Sequence, residues 1–367
     1  MARGKSTPAG YDYMILVPVI LLIGIGLVVV YSASSNLAEH RFGDSYFYLK
    51  KQALFALLGI ALMIVAKNVP CKVYAKLVYP LLLISCCLLI LLFIPGLGHK
   101  VGGASRWLRL GGFSFQPSEL AKFTLAVYMA YSMSKKGSHI ESLSKGLLPH
   151  LLVVSAFLLL LVLQPDLGTA IIIGCWVIVL LFVGGVKLLH LFSISIISAP
   201  ILIWLIWQAD YRIKRWWAFI NPWDDPQGIG FQIIHSFLAF GSGGVLGAGL
   251  GNSKQKLFYL PEPHTDFVLS IAAEELGFLG VTAIIGLFGL LVIQGIRVTL
   301  NARDLYSSYL AFGLTCWIGL QVVVNMGVVM GLLPTKGLTL PLISYGGSSL
   351  VFTLLSLGVL LNISSRT

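Results

Sequence analysis

The chain has 367 residues, of which 57% are hydrophobic and only 11% charged, against about 45–50% and about 25% in an ordinary soluble domain. That balance excludes a soluble enzyme, a disordered chain and a disulfide-stapled secreted protein, and leaves a polytopic membrane protein. The 25 Lys and Arg against 14 Asp and Glu give a formal charge of +11. In so apolar a chain, each acid and the basic excess need a reason. The five cysteines form no paired pattern and read as small hydrophobes.

A helix needs about 20 mostly apolar residues to cross a bilayer. By that rule ten spans are expected, near 12–33, 50–66, 75–94, 117–134, 148–163, 167–184, 188–207, 266–297, 309–331 and 344–363. The fold class is therefore an all-α polytopic membrane protein of about ten transmembrane helices in a single domain. One long extracytoplasmic loop, 208–265, joins spans seven and eight. Arg3 and Lys5 before the first span resemble a signal-peptide n-region, but nine further spans favour a retained start-anchor. With both termini placed inside, twelve Lys and Arg fall on each side of the membrane. Cytoplasmic loops normally win this count. The outer face is thus unusually basic.

In chain order, Gln116-Pro-Ser-Glu-Leu-Ala-Lys122 opens the fourth span. Pro117 suits the first helical turn, and Glu119 and Lys122, three apart, share a face and can pair inside the bilayer. Asp166, in Gln164-Pro-Asp, reads as the cap of the sixth span. The loop 208–265 interleaves Trp216, Trp217 and Trp223 with Arg212 and Arg215, as at a headgroup interface. Asn221-Pro-Trp-Asp-Asp-Pro implies a fixed turn. Gly247-Ala-Gly-Leu-Gly251 fits no nucleotide-binding glycine pattern. Its glycines serve a tight turn, a close approach to an anionic headgroup, or a flexible linker.

Asp266 opens a run of about 31 residues, about 46 Å as helix, which places it at headgroup level. It is either an N-terminal residue capped by Thr265 or a general base beside Lys254 and Lys256. Ser270, Ala273, Gly277 and Gly280 are spaced for close helix packing. Glu274 and Glu275 lie about 12 Å deeper, and the sequence assigns them no role. Pro334-Thr-Lys-Gly-Leu-Thr-Leu-Pro-Leu-Ile-Ser-Tyr-Gly-Gly-Ser-Ser349 reads as a re-entrant loop with Lys336 at a cavity mouth. The seven histidines do not cluster, and only His264 lies in a suspicious turn. No all-protein metal cage is expected. A divalent cation, Mg or Mn, riding on a substrate diphosphate stays open.

Four of these motifs, Gln116–Lys122, Asn221-Pro-Trp-Asp-Asp-Pro-Gln-Gly, Leu260-Pro-Glu-Pro-His-Thr-Asp-Phe and Pro341-Leu-Ile-Ser-Tyr-Gly-Gly-Ser-Ser, together resemble the SEDS family of bacterial wall proteins (shape, elongation, division and sporulation) over essentially the whole chain. The resemblance implies a ten-span glycosyltransferase of the bacterial cytoplasmic membrane. It would polymerise lipid II, the undecaprenyl-diphosphate-linked disaccharide peptide, with a class B penicillin-binding transpeptidase as partner. Pro334-Thr-Lys-Gly-Leu-Thr-Leu-Pro and Gly251-Asn-Ser-Lys-Gln-Lys-Leu are most similar to the division branch, which implies septal enrichment and other division proteins as partners. Elongation-type and sporulation-type polymerases, a lipid II flippase and a non-catalytic scaffold are the alternatives. No tightly bound cofactor and no nucleic acid are implied.

By the same resemblance Asp266 is the essential acid and Glu119–Lys122 the intramembrane pair. The remaining candidates for holding the lipid diphosphate are Arg106, Arg212, Arg215, Lys254, Lys256, His264 and Lys336, with Lys214 also in the basic pool. Arg106 stands first among them.

Overall fold

A computed structural model describes residues 11–101, 104–110, 113–256 and 263–366. The positions of Arg3, Lys5, Gly102 and the Leu260-Pro-Glu262 half of one motif lie outside the described residues. Thirteen α-helices follow in chain order among them: α1 Tyr13–Phe42, α2 Phe47–Asn68, α3 Cys71–Lys76, α4 Val78–Leu91, α5 Pro117–Lys136, α6 Leu148–Leu163, α7 Leu167–Val183, α8 Leu188–Trp207, α9 Asp210–Ile220, α10 Phe231–Gly243, α11 Val268–Asn301, α12 Leu305–Val329 and α13 Gly347–Ser364. The chain is a multi-pass membrane protein. Seven stretches are long and apolar enough to cross a membrane, and α4 and α7 are shorter apolar helices. The fourth expected span is α5, whose first turns carry Glu119 and Lys122.

The helices end where the local chemistry stops them. Asp12 caps α1 by accepting from the Met14 amide at 3.1 Å, and Gly43, in a left-handed conformation, closes it. Asp304 caps α12 the same way, accepting from the Ser307 amide at 3.0 Å. α13 packs along α2, α12 lies against both α11 and α5, and α1 lies against α11. α8 is almost wholly uncovered, with Leu191 its one fully buried residue among those described.

Three regions depart from the expected plan. Between α4 and α5 the chain forms a small antiparallel sheet, β1 Gly98–Val101, β2 Ala104–Leu110 and β3 Phe113–Phe115, in the order β1-β2-β3. Along β2 the alternation puts Arg106 on the face of buried Leu108, and leaves Arg109 on the exposed one. The loop 208–265 is also not irregular, since it contains α9 and α10. The Asn221 turn between them is fixed as its sequence implies. Asn221 Oδ1 accepts from the Trp223 amide at 3.3 Å, and Asp225 accepts from the amides of Gly228 and Ile229 at 3.0 and 3.1 Å.

The expected continuous helix from Asp266 is broken. Gly277 has φ 66° and ψ −167°, and α11 changes direction there. The glycine-rich segment after α10 threads into the break. Ala248 and Gly249 donate to the carbonyls of Glu274 and Glu275 at 2.9 and 3.1 Å, while Phe278 and Leu279 donate to Gly244 and Val245 at 2.9 and 3.2 Å. The groups freed by the break are therefore paired on both sides, as buried backbone requires. A Cβ at Gly247 (φ 84°) or Gly277 would collide with the facing backbone. So Gly277 is a breakpoint, and the glycine run approaches a helix backbone instead of acting as a linker. Ser270 does serve helix contact, its hydroxyl 2.8 Å from that of Ser236 on α10.

Candidate functional site

Asp266 lies in the turn before α11, partly exposed. The helix proper begins at Val268 with Phe267 at its cap position, where no side chain caps it. The expected cap residue, Thr265, is used otherwise. Three successive carbonyls of the turn are held from outside. The Tyr345 amide donates to His264 at 2.9 Å, the Ser344 hydroxyl to Thr265 at 2.6 Å, and the Asn325 side-chain amide to Asp266 at 3.1 Å. The backbone carrying the acid is thus clamped to α12 and to the 334–346 segment.

That segment is itself firmly held. Asn325 also donates to the Leu338 carbonyl, and Gln321, one turn earlier on α12, donates to Thr339 at 3.0 Å. Gln52 on α2 donates to the Ser344 carbonyl at 3.1 Å. Leu342 adopts φ 65°, a left-handed conformation that costs a non-glycine residue on the order of 1–3 kcal/mol. It is kept there by close approach to α1, where a Cβ at Gly26 would come within 2.6 Å of the Leu342 carbonyl. The result is that Gly337 faces Asp266 directly: a Cβ there would be 2.8 Å from the carboxylate.

Lys336, next to that glycine, runs its stem over Gly168 at the start of α7 and brings its ammonium to 3.5 Å from the Thr169 hydroxyl. Burial lowers its pKa to about 7, with Lys122 and Arg106 pushing the same way and Asp166 and Asp266 opposing. Arg106 reaches in from β2 and pairs with Asp166 at 3.1 Å. Asp166 caps α7 as expected, accepting from Thr169 at 3.4 Å, and in addition holds that arginine. Arg215 on α9, itself exposed, lies within electrostatic reach of Arg106, Tyr211 and Asp266.

The structure thus brings together Asp266, Lys336, Arg106 and Arg215. Glu119 and Lys122 pair at 2.6 Å, both buried, with the ammonium 4.7 Å from the Trp317 ring centre. Lys122 is within electrostatic reach of Lys336.

Four candidates are placed elsewhere. Arg212 turns to the Leu205 carbonyl and stacks on Tyr211, closing the end of α8. His264 is buried against Tyr48 and Tyr345, ring centres 4.3 and 5.4 Å away, and burial with the nearby charge of Arg41 lowers its pKa to about 4. It is neutral at physiological pH. Lys256 is buried in an ion pair with Glu275 at 3.0 Å, and its ammonium also donates to Ser32 at 3.1 Å. Lys254 is exposed, and its backbone amide binds Glu274 at 2.9 Å.

These contacts give Glu274 and Glu275 the role the sequence left open. The Ser253 hydroxyl donates to Glu274, and the Ser32 hydroxyl donates to Glu275 at 2.6 Å. The pair fastens the threaded loop to α11 and α1. Residues that sequence reasoning missed at the site are Asn325, Gln321, Thr169 and Gly337, and Asp166 as a partner of Arg106. Gln321 and Asn325 did carry a signal, two amides one helical turn apart inside an apolar span. Among the described residues, no three His, Cys, Asp or Glu side chains are grouped to hold a metal ion.

The sequence profile of the cell cycle protein family that groups FtsW, RodA and SpoVE matches residues 12–367. A probable peptidoglycan glycosyltransferase FtsW of Geobacter sulfurreducens is 51% identical over 356 residues, 97% of this chain and 95% of that one. The stage V sporulation protein E of Bacillus subtilis is 44% identical over 364 residues, 99% of each chain. Among solved structures, a chain described under the structural coordination of polymerization and crosslinking by a peptidoglycan synthase complex superposes with a TM-score of 0.80. It is 33% identical, and the match covers 97% of this chain and 98% of that one.

Proposed function

The chain belongs to the FtsW, RodA and SpoVE family of cell cycle proteins, and on that premise we propose that it polymerises lipid II into glycan strands at the division septum. The observation that carries the reading is the carboxylate of Asp266, carried on a clamped backbone and lying against Gly337, within electrostatic reach of Lys336 and Arg215. An acid and several cations within electrostatic reach of one another suit a reaction that removes a proton at one end and releases a diphosphate at the other.

In that reaction Asp266 accepts the proton of the acceptor sugar's hydroxyl. The oxygen's electron pair forms a bond to the anomeric carbon of the donor, and the bond from that carbon to the diphosphate oxygen breaks. The electron pair leaves with undecaprenyl diphosphate, and the anomeric centre inverts. A positioned base contributes about 10²–10⁴-fold. Stabilising the leaving diphosphate supplies much of the rest, through Lys336 and Arg106, held before the substrate arrives, and the exposed Arg215. A Mg or Mn ion carried on the diphosphate would be held by the substrate's own oxygens and by Asp266 or Asp166, and would add the same kind of charge stabilisation.

The enzyme would act on the outer face of the bacterial cytoplasmic membrane, with a class B penicillin-binding transpeptidase crosslinking its product. Peptidoglycan synthesis in the related complex couples the same two activities. The 51% identity to a division-type relative, against 44% to the sporulation protein, supports the division branch. The chemistry is the same in either branch.

The test is purified protein with its transpeptidase, given labelled lipid II. Glycan ladders are expected with wild type and not with Asp266→Asn. Ladders that survive the substitution at full rate refute the assigned base. Lipid translocation in sealed vesicles without any polymer establishes a flippase instead.

A further inference from the structure

Away from the Asp266 site, a cavity of about 560 Å³ lies between the outer half of α1 and the loop that follows α10. That volume falls in the range of about 300–1,000 Å³ typical of ligand sites. Its α1 wall runs from Val28 through Ser32 to Ser35 and Asn36, and its loop wall from Leu250 through Asn252 to Lys254. The wall is graded. Val28 and Leu250 are apolar and exposed, while Ser35 and Asn36 lie about 12 Å farther along α1 toward its outer end.

The charge is graded too. Among the described residues, no acidic side chain lines the cavity. Lys256 and Ser32 form its floor, and the counter-ion, Glu275, sits behind them with no exposed surface. The carboxylate does not reach the space, and the buried Lys256 ammonium spends its three N–H groups on Glu275, Ser32 and the Gly251 carbonyl. Lys254 adds a second cation at the side, exposed and in no ion pair among the described residues. An apolar exit, neutral hydrogen-bonding walls and an accessible cation are the features an anionic amphiphile needs.

We propose that this cavity is a headgroup pocket for a phosphate-bearing membrane lipid, separate from the Asp266 site. Lys254 takes the phosphate oxygens, Ser35, Asn36 and Asn252 bond the attached hydroxyls, and the hydrocarbon chain leaves over Val28 and Leu250. The same chemistry belongs to a bulk anionic phospholipid and to a polyprenyl diphosphate used or released by the enzyme. The pocket does not depend on the role given to Asp266, so the two claims fail separately.

The experiment is a lipid titration of the full-length protein in phosphatidylcholine nanodiscs, read by native mass spectrometry, with phosphatidylglycerol in one arm and undecaprenyl diphosphate in the other. Wild type and Asp266→Asn should retain a saturable lipid that Lys254→Glu weakens by about tenfold or more, the worth of one charge-assisted hydrogen bond. Ser35→Leu, which fills the cavity without changing charge, should weaken it as well. Thermal melting shows whether each variant is folded. Preference for phosphatidylglycerol identifies a bilayer lipid, and preference for the diphosphate identifies substrate or product; either supports the pocket. Unchanged binding in both pocket variants overturns it, as does loss of the lipid in Asp266→Asn.

Discussion

Asp266 and Glu275 stand nine positions apart on one segment, about 13 Å along a helix axis, and are built in opposite ways. Glu275 is enclosed: Lys256, Ser32 and the Ser253 amide all donate to one of its oxygens, and its side chain has no exposed surface. At Asp266 the clamping falls on the backbone of the turn, while the carboxylate lies against a glycine and shares its surroundings with cations from three other elements. A buried charge that a protein uses for its own architecture is neutralised close by. One kept for a substrate is held in position by its main chain. The difference separates the two roles where the sequence shows only acids in an apolar run.

The sharpest way to break that comparison is at Lys256. Lys256→Met should cost about 3–5 kcal/mol of stability, because it strands a buried carboxylate. Adding Glu275→Gln should restore most of it, as read from denaturation in detergent. If the single variant melts like wild type, the pair is not the fastener inferred here.

Lys336 should show itself in pH dependence. Its pKa of about 7 means that the ammonium is lost as pH rises through neutrality, while a bound diphosphate favours the charged form. KM should rise above about pH 7, substrate binding should take up a proton, and Lys336→Arg should remove the alkaline limb, since a guanidinium stays charged. The stability sign is the reverse of the usual lysine case. Between about pH 7 and the ordinary lysine pKa, the unfolded chain binds the extra proton. Stability from this group therefore rises with pH across that window and is flat below it.

Asp166→Asn should have a smaller effect. The cap of α7 survives, because asparagine caps as well as aspartate. Arg106 loses its anchor, so KM should rise by about 3- to 10-fold at nearly constant kcat. The least effect is expected at His264. It is neutral through the physiological range and packs between two tyrosines, so His264→Phe should change polymerisation by less than about threefold, within the usual cost of a shape-conserving swap. A tenfold loss would mean that the imidazole touches substrate.

Much of this was legible in the sequence because membrane spans announce themselves. The expected spans 148–163 and 188–207 coincide with α6 and α8, and each of the other expected spans falls on a helix. The break at Gly277 was not legible, since the apolar run continues through it and the loop that pairs its freed amides comes from residues 244–249. The sheet of 98–115 was missed because strands of three to seven residues leave little periodicity to read. At the site, Asp266, Lys336 and Arg106 stood out as charges in unusual contexts. Lys254 and Lys256 were drawn toward Asp266 by their nearness in sequence, while their backbone and side chains are tied to Glu274 and Glu275. Asn325 was hidden for a different reason: its part is to hold two carbonyls that only the folded chain brings together.

The central claim is that Asp266 performs proton removal and is not needed for the fold. Its most direct test is the single-turnover rate of polymerisation by Asp266→Asn, measured beside its melting temperature and its affinity for lipid II. The account predicts a rate lower by about 10²–10⁴-fold, with melting and affinity near wild type. A rate within a few fold of wild type, or a loss of rate that merely follows unfolding, would contradict it.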